Sequence, residues 1–124
     1  MLFPGNAFQL TNKADALLLL SLISGRNAEW LIGQHVQAAK AIQQSALETI
    51  STGYILIDGG NTTAVERVSK TKPLQHDAID EVVSTALAGE LLGNKLIYLE
   101  AGSGAQNPVP TSLIKAVKES IHIP

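Results

Sequence analysis

The chain has 124 residues, the size of one ordinary domain, and its 45% hydrophobic and 16% charged content suits a packed core rather than disorder. A formal net charge of −2 leaves no basic face for nucleic acid, and the lack of cysteine excludes disulfides and thiolate metal sites. No signal-peptide pattern follows Met1, and the longest apolar run, Ala14–Ile23, is broken by Asp15 and Ser21 and falls short of a membrane span; a soluble, cytoplasmic protein is the default expectation.

In chain order, Leu2 and Phe3 read as the end of a strand that stops at Pro4-Gly5-Asn6. The connection from Asn6 to Lys13 is too short and polar for a crossover helix. Ala14–Ile23 then reads as a strand buried on both faces. An amphipathic helix is predicted over residues 28–44, with Asn27 as N-cap, Glu29 in its first turn, and Leu31, His35, Ala38 and Ile42 on one face. Thr52–Gly60 is a second buried strand closed by a double glycine. The stretch HDAIDEVVSTALAGELLGN predicts a helix capped by Asp77 and ended by Gly93. KLIYLEAGSG is the next strand, and PTSLIKAVKESI is a helix with Thr111 near its N-cap.

Doubly buried strands alternating with helices mean a parallel α/β sheet. The strand starts lie further apart than the roughly 30 residues of a bare βαβ unit, so the loops carry insertions. Both ends read as interruptions: a strand fragment opens the chain, and a helix closes it where another strand would follow. The expected architecture is therefore an internal segment of an α/β barrel, about four of its eight units.

In parallel α/β folds, ligands gather at the carboxyl ends of the strands. Those ends are Phe3–Asn6, Ser21–Asn27, Asp58–Asn61 and Glu100–Gly104. In the last, a glycine-rich turn can aim backbone N–H groups at a phosphate, and Ser103 adds a hydroxyl. Glu100 shares Tyr98's face of the strand and can serve as a general base. A solvated strand-end loop is the competing reading. Asp58-Gly59-Gly60 reads as turn chemistry before ligand binding. Tyr54 and Tyr98 read first as core, and Trp30 as a packing anchor. His35, His76 and His122 lack the spacing of a metal site or triad, and Lys70-Thr71-Lys72-Pro73 reads as a solvated basic loop.

The motifs FPGN, SGRNAEWLIGQHV, GYILIDGG, TKPL and, above all, YLEAGSGAQNPVP resemble the geranylgeranylglyceryl phosphate synthase family, which includes the bacterial heptaprenylglyceryl phosphate synthases. The resemblance runs over essentially the whole chain and is nearer the larger archaeal and Bacteroidetes-type group. It implies a modified TIM barrel whose third helix is replaced by irregular chain. Residues 1–124 would supply units 3 to 6, without the first two and last two strands. It also implies transfer of a polyprenyl group, geranylgeranyl in the first instance, from its diphosphate to the 3-hydroxyl of sn-glycerol 1-phosphate, with Mg²⁺ on the diphosphate.

On that resemblance Glu100 is the base, and Tyr98 both holds the acceptor and shields the allylic cation. Leu99, Ala101, Gly102, Ser103 and Gly104 join Tyr98 and Glu100 around glycerol 1-phosphate. Tyr54 and Trp30 line the prenyl pocket, Trp30 limiting chain length. The family's magnesium ligands fall on segments outside this chain, so no metal site is expected within it. At full length the resemblance implies a homo-oligomer with no transmembrane segment. Two other readings stay open: a non-catalytic folding or assembly unit, and a different phosphate-binding barrel enzyme.

Overall fold

The computed structural model describes residues 10–11 and 13–124. The Leu2-Phe3 strand end, and most of the Asn6–Lys13 connection on which the missing third helix was expected, lie outside the described residues. The elements run β1 (Ala16–Leu22), a π-helical turn (Glu29–Gly33), α1 (Gln34–Ser45), β2 (Glu48–Leu56), α2 (Ala64–Ser69), α3 (Ile79–Leu91), β3 (Leu96–Glu100) and α4 (Thr111–Ser120). The three strands form one parallel sheet in the order β1-β2-β3. No helix among the described residues is long and apolar enough to cross a membrane.

The sheet buries both faces, as its continuous apolar runs require. On one face Ile55 and Ile57 of β2 and its extension pack against Val82 and Ala86 of α3 and against Leu113 and Val117 of α4. Full burial of each larger aliphatic side chain contributes roughly 1.5–3 kcal/mol. On the other face Leu22, Tyr54 and Leu56 form a second cluster, joined by Leu20, Trp30, Val65 and Tyr98. The register places Tyr54 beside Leu22 on one side and Tyr98 on the other, with Leu56 beside Glu100. Alternation along the pleat then sets Tyr98 and Glu100 on the Tyr54 face, while Leu99 turns toward the helices.

Several local expectations change. The helix expected over residues 28–44 runs without interruption from Ala28 to Ser45, but Glu29–Gly33 is π-helical, with the Gln34 N–H reaching the Glu29 carbonyl, before α1 begins. Asn27 still organises the start, since its Oδ1 accepts the Glu29 N–H at 3.1 Å. β2 begins at Glu48 rather than Thr52, because Glu48 and Thr49 pair with Ala16 and Leu17 although both are exposed. Asp77 makes no side-chain cap on α3; it contributes only its carbonyl, to the Ile79 N–H. Thr111 lies next to the N-cap of α4 as expected: it is the first helical residue, and Pro110, extended at φ −60° and ψ 137°, holds the N-cap.

Gly93 ends α3 as expected. At φ +94° its N–H returns to Glu90 O and the Asn94 N–H to Gly89 O, the paired bonds of a Schellman turn. The short helix α2 lies in what reads as loop after the double glycine.

Candidate functional site

At the carboxyl end of β3, the Glu100 carboxylate is held by two donors. The Gly102 N–H reaches its Oε1 at 2.8 Å, and the Tyr98 hydroxyl hydrogen-bonds to its side chain. A carboxylate offers about four acceptor positions, so room remains for a substrate hydroxyl. Tyr54 stacks on Tyr98 with ring centroids 5.8 Å apart and planes at 26°. The sheet register creates that pair, because residues side by side on parallel strands present their rings to the same face.

Both phenols are pushed above their ordinary value near 10. For Tyr98 the chief cause is its hydrogen bond to Glu100, with partial burial second. For Tyr54 it is burial first, then the nearby charges of Glu100 and Tyr98. A raised phenol pKa favours the protonated form in the folded chain. Its stabilising contribution is therefore full below pH 10 and is lost as pH climbs through the folded-state values. Chemical denaturation followed upward from pH 9 should show stability falling above about pH 10. Tyr98→Phe should flatten that fall, and an unchanged slope would contradict the assignment.

Beyond Glu100 the chain turns through Gly102 (φ +95°) and Gly104 (φ +75°). The turn is tied to the loop after β2: Asn61 Nδ2 donates to Gly104 O at 2.8 Å, and the Gln106 and Asn107 N–H groups reach Gly59 O at 2.9 and 3.1 Å. The Asp58-Gly59-Gly60 turn is thus a support for the turn beside it, with Asp58 Oδ1 accepting the Gly60 N–H at 2.8 Å. Ala101 is buried, while Ser103 and Gly104 are exposed at the mouth. Leu99 packs its side chain into the helix-side core, so only its main chain can face a ligand here.

Trp30 rests on the Leu22, Tyr54 and Leu56 cluster together with Val65 and Tyr98. Trp30, Tyr54, Tyr98 and Glu100, widely separated in sequence, therefore belong to one side of the sheet. Val65 and Thr63 were not anticipated. Their signal is the capping pattern Thr63-Ala64-Val65-Glu66, in which Thr63 Oγ1 accepts the Glu66 N–H at 3.1 Å and starts α2. Among the described residues no three His, Asp or Glu side chains gather as a metal site.

Comparison with known proteins agrees with this architecture. The geranylgeranylglyceryl phosphate synthase of Zunongwangia profunda is 57% identical over 124 residues, which is 100% of this chain and 53% of that protein. The enzyme of the same name from Methanosphaera stadtmanae is 42% identical over 119 residues, 96% of this chain and 48% of its own. The crystal structure of (S)-3-O-geranylgeranylglyceryl phosphate synthase from Thermoplasma acidophilum, in complex with substrate sn-glycerol-1-phosphate, superposes with a TM-score of 0.89 at 34% identity, covering 98% of this chain and 48% of that one. This chain therefore spans about half the length of the relatives it matches, and its parallel sheet and helices are a segment of their TIM-barrel fold. The PcrB family profile matches residues 1–123, and the chain belongs to that family.

Proposed function

We propose that this segment carries the acceptor side of a prenyltransferase site. The whole protein transfers a polyprenyl group, geranylgeranyl in the first instance, from its diphosphate to the 3-hydroxyl of sn-glycerol 1-phosphate, making an ether-lipid precursor. The observation that carries this reading is the Glu100 carboxylate, fixed by Gly102 and Tyr98 beside a stacked tyrosine wall and ahead of a Gly-Ser-Gly turn. It lies in a chain that aligns over 98% of its length with a synthase holding sn-glycerol-1-phosphate.

In this reading Glu100 accepts the proton of the 3-hydroxyl as that oxygen attacks the allylic carbon. The new C–O bond forms while the bond to the diphosphate breaks, and pyrophosphate leaves with the electron pair. The π faces of Tyr54 and Tyr98 stabilise the positive charge growing on the allyl group. The exposed turn over 102–104 receives the glycerol phosphate. Mg²⁺ would supply charge neutralisation on the diphosphate when bound; the described residues do not assemble a site for it.

The test is a full-length hybrid in which residues 1–123 replace the matching part of the Zunongwangia profunda relative. It should form prenylglyceryl phosphate from sn-glycerol 1-phosphate and geranylgeranyl diphosphate. A properly folded hybrid that instead binds only sugar phosphates would overturn the assignment. In the same hybrid Trp30→Ala should open the apolar cluster and shift product length toward longer prenyl chains, read by mass spectrometry. An unchanged product distribution would return Trp30 to packing alone.

A further inference from the structure

The basic loop Lys70-Thr71-Lys72 is not absorbed by the prenyl-transfer reading; its two lysines are exposed, as a solvated loop requires, while Thr71 between them is buried. The loop forms one wall of a cleft of about 380 Å³ whose other wall is the loop after β1; Ser24, Arg26, Asn27, Lys70, Thr71 and Lys72 line it. Three of the chain's nine Lys and Arg residues meet there in a chain of net charge −2. No Asp or Glu lines the cleft, and among the described residues none of the three cations has a carboxylate within ion-pair distance. Solvent screens these exposed cations only in part, and an anion between them would relieve their mutual repulsion.

The walls are built rather than loose. Asn27 Nδ2 donates to Ser69 O at 2.9 Å and locks one loop to the other. The Thr71 N–H reaches Ser69 Oγ at 3.2 Å, and Ser24 Oγ accepts the Leu56 N–H at 3.0 Å. Gly25 lies so close to Thr71 that an added Cβ would stand 2.6 Å from its Oγ1. Arg26 Nη1 is held by Gly25 O at 2.8 Å. Lys70 holds a left-handed backbone at φ +54°, a conformation disfavoured for a side chain of its kind.

This cleft is separate from the Glu100 region. Leu74, just past it, pairs with the edge of β2 that faces β1, taking bonds through Leu56 O and the Asp58 N–H, whereas the Ile57 N–H on the opposite edge goes to Glu100 O.

We propose that the cleft is a second anion site, one that takes a phosphate group through the Lys70 and Lys72 ammonium groups, the Arg26 guanidinium and the Thr71 hydroxyl. A phosphate matches this set because it carries enough charge for several cations and enough oxygens for several donors. The group can arrive as a free phosphorylated molecule or as a lipid headgroup.

Two measurements on the full-length hybrid separate these sources: calorimetric titration with inorganic phosphate, and co-sedimentation with phosphatidylcholine vesicles with or without phosphatidylglycerol. Lys70→Gln with Lys72→Gln should weaken the binding at least tenfold, and Lys70→Arg with Lys72→Arg should retain it. Lys115→Gln with Lys118→Gln, both exposed on α4, removes the same charge elsewhere and should leave binding unchanged. Loss confined to the first pair supports the site, in the titration for a free phosphate and in sedimentation for a headgroup. No binding in either measurement, or equal losses in the two Gln pairs, overturns it.

Discussion

Replacing Glu100 by Gln in the full-length hybrid should lower kcat by about 10²–10⁴-fold, the range a positioned general base supplies. The amide keeps an oxygen in the place of Oε1, so the Gly102 N–H, now at 2.8 Å, can still donate to it. The shape of the turn is therefore retained, and affinity for sn-glycerol 1-phosphate should change little. What is lost is the ability to take a proton as the hydroxyl attacks. A fall in kcat without a matching change in binding marks an interaction made in the transition state. Equal losses in binding and turnover would make Glu100 a ligand contact, and near-normal turnover would remove it from the chemistry.

Gly102→Ala should be the most damaging small change in the turn. At φ +95° an L side chain is strained, and the added Cβ would meet Thr63 Cγ2 and lie 3.1 Å from Thr63 Cβ. Thr63 is buried and caps α2, so it has little room to retreat. The expected cost is about 1–3 kcal/mol of stability. The same shift moves the N–H that orients Glu100, and a displacement near 1 Å is worth about 10²-fold in kcat/KM. Gly104→Ala is the control: its φ is also positive, at +75°, but nothing lies within 4 Å of the added atom. It should cost about 1 kcal/mol and little activity. Urea denaturation and steady-state kinetics read both effects, and equal penalties at the two glycines would show that the Thr63 contact does not matter.

The parts of the fold that could be read in advance are those whose signal is local. Continuous apolar runs mark β1, β3 and the buried part of β2, and Gly93 marks the end of α3 because only its left-handed backbone closes that turn. The first residues of β2 escaped because Glu48 and Thr49 are exposed and polar; β1 recruits them through pairing, which leaves no hydrophobic pattern. The π-helical turn rests on a Gln34-to-Glu29 backbone bond that apolar spacing does not register. Helix α2, at six residues, is too short for periodicity, although its capping pattern was readable. In the site, alternation along one strand was enough to set Glu100 beside Tyr98. The stacking of Tyr54 on Tyr98 and the arrival of Trp30 on the same face needed the register of two long-range strand pairs. The same distance in sequence hid the basic cleft, since Arg26 and Lys70 meet only after β2 and α2 are in place.

The most direct test of the acceptor-site assignment is a crystal structure of the full-length hybrid with sn-glycerol 1-phosphate. The 3-hydroxyl should lie within about 2.6–3.2 Å of the Glu100 carboxylate, with the phosphate against the turn over 102–104 and the glycerol beside Tyr98. A ligand seated away from Glu100, for instance with its phosphate only in the Arg26, Lys70 and Lys72 cleft, would contradict it.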